Sequence, residues 1–373
     1  MVVANLRNAQ RIVNTKALYE NIHNAKQRLN DDTELWLVLK ANGYGHGAIA
    51  VAKTAEKAGA TGFCVALLDE ALQLRQAGFR QPILVLGLTD VQDAPIAAQN
   101  NVSLTVSSSS WILAANKILS SFKSQPLKIH LALDTGMGRI GFQKASELKD
   151  AVSTIKQTDH NIIFEGIFTH FSTADSPDSK YFHEQYDKFE KFMAVLPDKP
   201  KYVHVANSAT SLWHKVCGGN LIRLGISAYG LNPSGRAIKD TPYTLQPVMS
   251  VETELTYSKI VEKGKYIGYG ATYQTQSDEW IGTVPMGYAD GIPRKMQGFK
   301  VLVDGQFCPI VGRVCMDQFM IKLPKEYSAG TKVVIIGESK GQTITADDVA
   351  DYLGTISYEV ICGFSERLKI TYL

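Results

Sequence analysis

Short runs of apolar and β-branched residues recur at about 35–41, 62–68, 82–87, 102–106, 127–134, 161–170, 201–206 and 221–226, with the length and composition of buried strands. Between them lie segments such as GAIAVAKTAEKAGA, DEALQLRQAGF, KASELKDAVSTIKQT and YFHEQYDKFEKFMAVL. These repeat apolar residues at intervals of three and four with polar positions between, which predicts helices with one buried face. Eight such strand–helix units over about 230 residues predict a (β/α)8 TIM-type barrel. The period changes after LNPSGRAIKDTP. From about Met249 the pattern is strands and turns (SVETELTYSKIVEKG, EWIGTVPMGYADG, KVLVDGQFCPIVGRVCMDQFMIKL, TKVVIIG), with one helix-like run, TADDVADYLG. The expected organisation is an α/β chain: a barrel over residues 1–240 and a mostly β domain over 241–373.

Charge and composition narrow the function classes without altering this frame. Charged residues are 20% of the 373 and nearly balanced at net +3, so no basic surface argues for nucleic acid or an acidic membrane. No window approaches the roughly 18 apolar residues of a membrane span, and the first residues carry no apolar core of a signal peptide. The expectation is a cytoplasmic protein with neither membrane nor nucleic-acid partner. The five cysteines, Cys64, Cys217, Cys308, Cys315 and Cys362, are scattered without a CxxC pair, and read as free thiols with no metal site.

Candidate chemistry gathers where a barrel places its active site, at the C-terminal ends of the strands. Lys40 ends the first strand in LWLVLKANGYGHG. Asp134 and Arg139 follow the fifth in LDTGMGRIG, His170 ends the sixth in IFTHF, Asn207 and Ser208 end the seventh in HVANSAT, and Arg223 lies inside the eighth in LIRLGISAYG. Each alone has a structural reading: a satisfied core histidine, a tight loop, an arginine paired with a structural carboxylate. Five strand ends aimed at one mouth favour a site. A lysine there is costly to bury as an ammonium, so it calls for covalent use or a paired anion, and a Schiff base to pyridoxal phosphate is the covalent solution. Gly43, Gly45 and Gly47 let the chain turn sharply beside it, with the Tyr44 hydroxyl between them. Loops after strands seven and eight commonly bind phosphate in such barrels, and here they supply Ser208, Gly225 and Ile226.

The motifs LKANGYGHG, DTGMGRIGF, FTHFSTAD, ANSAT, RLGISAYGL, GYGATY, PMGYADGIPR, VGRVCMDQ and ISYEV, in that order, together resemble the alanine racemases, pyridoxal phosphate enzymes of fold type III. The resemblance runs from about residue 10 to the C-terminus. It implies an N-terminal (β/α)8 barrel, a C-terminal β domain, and a homodimer whose active sites combine one barrel with the partner's β domain. The implied activity is interconversion of L- and D-alanine, supplying D-alanine for peptidoglycan.

The resemblance also implies roles. Lys40 would carry the cofactor and then act as base or acid on one face of Cα, with Tyr269, from the other subunit, on the opposite face. A phenol with its ordinary pKa near ~10 is a poor base at neutral pH, so a relay through His170 towards Arg223 would have to favour its ionised form. Arg223 would face the pyridine nitrogen, which a guanidinium leaves unprotonated. Tyr44, Ser208, Gly225, Ile226 and Tyr358 would form the phosphate cradle, with Asn207 also on the cofactor. Arg139 would lie near the phenolic oxygen and the substrate carboxylate, Met316 would hold that carboxylate by its N–H, and Asp317 and Tyr288 would support the site and its entry. Cys315 reads as a packed thiol. Two other enzymes of this fold type, a broad-specificity racemase and a basic amino-acid decarboxylase, fit the same residues, although a decarboxylase has no need of Tyr269. A non-catalytic pyridoxal phosphate carrier would need no β domain. One departure stands out: many members carry a carbamylated lysine two residues before the aspartate of DTGMGR, where this chain has Ala132. A buried Arg139 would then lack its counter-charge, at a cost of several kcal/mol in order of magnitude, and a chloride is expected beside it.

Overall fold

A computed structural model describes residues 2–122, 125–214 and 217–373. The chain forms two compact units, one of residues 17–43 and 47–246, the other of residues up to Lys16, 44–46 and 247–373.

The first unit is the expected barrel. Its parallel strands are β1 (Glu34–Val38), β2 (Gly62–Val65), β3 (Ile83–Leu88), β4 (Ser103–Val106), β5 (Leu127–Ala132), β6 (Ile162–Phe168), β7 (Tyr202–His204) and β8 (Leu221–Leu224). Each pairs with the next from β1 to β7, and β8 pairs with β1 in the register Trp36↔Arg223. The ring is nearly closed between β7 and β8 by the bridge Ala206↔Ile222 and the bond from Arg223 N–H to the Ala206 carbonyl, 2.9 Å. Helices form where apolar spacing predicts them. Ala48–Lys57 buries Ala48, Val51, Ala52 and Ala55, and Lys180–Met193 buries Phe182, Gln185, Phe189 and Phe192 on one stripe. The first strand stops at Val38 rather than continuing to residue 41, because the backbone turns left-handed immediately after Lys40.

The second unit is a ten-stranded sheet with helices Ala346–Leu353 and Ser357–Cys362, the latter not evident from the sequence pattern. The N-terminal strand Gln10–Val13, expected within the barrel, instead lies in this sheet. It pairs antiparallel with Met249–Glu254 and parallel with Lys369–Tyr372. The expected boundary at residue 240 also lies a few residues before the turn into this sheet. No helix among the described residues is long and apolar enough to cross a membrane, and no cluster of His, Cys, Asp and Glu among them has the geometry to hold a metal ion.

Candidate active site

The segment after Lys40 is the most strained backbone in the barrel unit's mouth. Ala41 and Asn42 both have φ 53°, and Gly43 has φ 62°. A non-glycine residue in this left-handed region costs roughly 1–2 kcal/mol, so the conformation persists only because its surroundings hold it. Two side chains do so. The Glu70 carboxylate accepts from Ala41 N–H at 2.7 Å, and also from Ala66 N–H at 2.7 Å at the start of its own helix; Asn42 Oδ1 accepts from Ala48 N–H at 2.8 Å. Glu70 was not among the expected site residues. Its signal in the sequence is a glutamate in the third position of a helix, from which the carboxylate reaches back to the N–H of Leu67.

Lys40, Arg139, His170 and Arg223 come together. Burial, followed by the charges of Arg223, Arg139 and Lys40, pulls the His170 imidazole down to about 3, so it is neutral. Both of its ring nitrogens face donors: Arg223 Nη2 lies 3.4 Å from Nδ1, and Asn207 Nδ2 lies 3.3 Å from Nε2. Among the described residues the ring therefore meets no acceptor. Asn207 is oriented by Thr210, whose N–H and hydroxyl both donate to its Oδ1.

Arg223 is buried, and among the described residues it pairs with no carboxylate, unlike the structural ion pair its sequence position also allowed. Its Nη1 donates to His204 Nδ1 and to the His204 carbonyl, each at 2.7 Å, and its Nη2 donates to the Thr169 carbonyl at 2.8 Å and towards His170. The four terminal N–H groups are thus engaged, leaving Nε–H. Burial pulls the guanidinium down to about 10, still fully charged at neutral pH. Beside it, burial pushes the Cys64 thiol up to about 12 against the pull of Arg223 and Lys40, so this cysteine is an inert packing group.

The loops after β7 and β8 are tied by Ser208, whose Oγ accepts from Gly225 N–H at 2.9 Å and from Ser227 N–H at 3.4 Å; Ile226 begins the short turn Ile226–Tyr229 and is buried. A hydroxyl that accepts twice keeps its own proton to donate. Asp134 shapes the next loop, accepting from Gly136 and Gly138 N–H at 3.0 Å each. Arg139 at the tip of that loop is exposed and has no ion pair among the described residues, while Ala132 is buried. The expected cost of an uncompensated buried guanidinium therefore does not arise in the chain by itself, because water reaches this side chain.

The remaining residues belong to the sheet unit. Tyr44 is buried at φ 52°, its ring centroid 6.3 Å from that of Tyr358. Gly45 follows at φ 78°, where a Cβ would sit 2.6 Å from the Ile361 carbonyl, so only glycine fits. Tyr288 and Met316 lie on adjacent loops joined by bonds from Tyr288 N–H to the Cys315 carbonyl and from Ala289 N–H to the Met316 carbonyl, both 3.0 Å. Asp317 pairs with Arg367 at 2.8 Å. Tyr269, in the turn Tyr269–Ala271, is 67% exposed, and Met316 is 53% exposed.

A group with an acceptor ring nitrogen, a carbonyl that a lysine can capture and a phosphate fits groups the barrel unit offers: the Arg223 Nε–H beyond its four engaged terminal N–H groups, the Ser208 O–H and the Lys40 amine. Pyridoxal phosphate has this composition. Residues 13–233 match "Alanine racemase, N-terminal domain" and residues 248–372 match "Alanine racemase, C-terminal domain". A relative named alanine racemase from Levilactobacillus brevis is 54% identical over 373 residues, all of both chains. Among solved structures, an alanine racemase from E. faecalis is 49% identical with a TM-score of 0.98 over all of both chains. A histidine racemase from Leuconostoc mesenteroides is 36% identical with a TM-score of 0.93, covering 100% of this chain and 99% of its own. With family matches over both units and relatives alike along their whole length, this chain belongs to the alanine racemase family.

Proposed function

We propose that the protein interconverts L- and D-alanine with pyridoxal phosphate held on Lys40, as a cytoplasmic homodimer that supplies D-alanine for peptidoglycan. The observation that carries this reading is Arg223: a buried cation that pairs with no carboxylate among the described residues, its four terminal N–H groups fixed by the barrel and its Nε–H left over. The bound cofactor supplies an electron sink that makes the substrate's Cα proton removable. Arg223 keeps its proton and so limits that sink, which favours returning the proton to Cα over side reactions.

Lys40 takes or returns the Cα proton on one face, and the partner subunit's Tyr269 does so on the other. Among the described residues His170 meets no acceptor, and it is neutral, so its ring N–H is available to a phenol oxygen, and hydrogen bonding there favours the ionised phenol. Ser208, Gly225, Ile226, Tyr44 and Tyr358 hold the phosphate, with Asn207 fixing the His170 ring beside the cofactor. Arg139 receives the substrate carboxylate together with the N–H of Met316 from the second copy, while Tyr288 and Asp317 shape the entry. The large exposures of Tyr269 and Met316 support work outside their own unit. Chloride beside Arg139 and Ala132 remains part of this reading, and bromide soaked into crystals would mark it by an anomalous peak.

The test is chiral analysis of cofactor-loaded protein given L-alanine. Racemate is the expected product, lost together with the cofactor's visible absorption in Lys40→Ala; an amine with carbon dioxide would instead establish a decarboxylase. The likeness to a histidine racemase favours a second reading, another amino acid as substrate. Parallel incubations with L-histidine and L-serine separate the two.

A further inference from the structure

The barrel core holds a chain of polar side chains that the racemase chemistry does not itself call for. Arg223 Nη1 lies 2.7 Å from His204 Nδ1; His204 Nε2 lies 2.7 Å from His130 Nδ1; His130 Nε2 lies 3.2 Å from Glu165 Oε2. Glu165 also accepts from the Ser103 hydroxyl at 2.5 Å and lies 3.7 Å from Lys128 Nζ. The direction of this chain is set at both ends: a guanidinium is only a donor and an ionised carboxylate only an acceptor. His204 Nδ1 must then accept, so a neutral His204 carries its proton on Nε2 and donates to His130 Nδ1. His130 in turn carries its proton on Nε2 and donates to Glu165. Every bond points the same way, from the cation at the mouth to a carboxylate at the other end of the chain.

We propose that Glu165 is a positioning residue for Arg223, its carboxylate acting through His130 and His204 to fix both tautomers and the orientation of the guanidinium that faces the cofactor. The assignment of the cofactor to Arg223 rests on the function proposed above; the hydrogen-bond chain does not.

The site is built for this chain. At Gly166, on β6, a Cβ would lie 2.4 Å from His130 Nδ1, so the ring occupies space that only glycine leaves. Tyr202 stacks on His130 with centroids 5.8 Å apart, and Phe168 stacks on His204 at 4.9 Å. These aromatic faces keep water from competing for the ring nitrogens, and in such surroundings an unsatisfied ring nitrogen is expensive. Both imidazoles are neutral: burial pulls His130 down against the raising effect of Glu165, and burial with the nearby Arg223 charge pulls His204 well below the ordinary value. Burial pushes the Glu165 carboxyl up, but the bonds from His130 and Ser103 outweigh it and hold the group below the usual range, hence ionised. A neutral apolar filling would pack this core as well, yet would leave the buried cation without any anion linked to it.

The test uses the full chain labelled with [15N]histidine, its 8 histidines assigned by single His→Asn variants. Ring nitrogen shifts in the cofactor-free and loaded protein are expected to give the Nε2–H form for both His130 and His204. Glu165→Gln keeps an acceptor without the charge, and Glu165→Leu removes both. In Glu165→Leu the His130 and His204 signals should move towards mixed tautomers, and kcat should fall on the order of tenfold, the low end for a residue that supports a site group through hydrogen bonds, with little change in KM. Glu165→Gln should keep the tautomers and show a smaller loss of kcat. If Glu165→Leu does not fold, Glu165→Gln decides: a kcat equal to that of the unsubstituted protein overturns the proposal. Unchanged ring tautomers in folded Glu165→Leu, or a loss of thermal stability with kcat intact, overturns the proposal. Absence of racemisation by the unsubstituted protein overturns the function instead and leaves the tautomer measurement standing.

Discussion

His130, His170 and His204 carry a cost that acid brings out. Burial holds all three below the ordinary histidine value, with Arg223 adding to the effect at each. In the unfolded chain they take up protons near pH ~6.5, while in the folded chain they do not. Their contribution to stability is therefore complete above that pH and is lost as pH falls towards the folded values, at up to about 1.4 kcal/mol per pH unit for each. Urea midpoints measured at pH 7.5, 6 and 5 should decline steeply below 6.5, and less steeply in His204→Asn; a flat profile down to pH 5 would contradict the burial argument. Residues of this kind divide by how visible they are in the sequence. Lys40 and Arg223 stand out because each interrupts an apolar run. Glu165 and Ser103 do not, because a polar residue in a strand normally faces water, and what turns this carboxylate inward is a partner 62 positions away. The exposure of Arg139 was likewise illegible, since a loop motif does not say which way its tip points.

At the level of elements, the left-handed segment after β1 decides how Lys40 is presented. The apolar pattern predicts a strand through residue 41, and nothing in ANGYG apart from its glycines warns that Ala41, Asn42 and Tyr44 also adopt positive φ. Helix and strand positions were legible because burial repeats with a period, whereas a turn held by Glu70 and Asn42 has no period to read. Relief of strain gives a directional prediction. Ala41→Gly should stabilise the protein by about 1 kcal/mol in denaturant unfolding, while loosening the presentation of Lys40 and lowering kcat. Gly45→Ala, forced against the Ile361 carbonyl at positive φ, should destabilise it. Destabilisation by Ala41→Gly would mean that the turn is not strained.

For the whole molecule, both architectures were readable from the change in periodicity near residue 249, but the placement of the first residues was not. Four residues, QRIV, look the same at a barrel's base or in a sheet, and only their partners Met249–Glu254 and Lys369–Tyr372 decide. Subunit sharing is tested at this scale. Lys40→Ala chains mixed with Tyr269→Phe chains should recover activity through heterodimers with at most one intact site, each variant alone being expected to be nearly inactive. Recovery no greater than the sum of the two variants would place Lys40 and Tyr269 of one site in the same chain. Before mixing, Tyr269→Phe alone should slow exchange of the Cα proton mainly from L-alanine.

The strand Gln10–Val13 lies between two neighbours made long after it. On a ribosome adding about 5–20 residues per second, it waits on the order of ten seconds to a minute for the second of them. During that interval its unpaired edges are a template for any other extended chain, including another nascent copy. The segments of the barrel emerge while it waits and need nothing from the later sheet to form their own strand ladder. Synthesis therefore favours a barrel that is assembled first and a sheet that closes last around a strand made before its neighbours. Conditions that slow translation past residue 250 lengthen the exposure of that strand, and its protection by a chaperone would show as a rise in soluble yield.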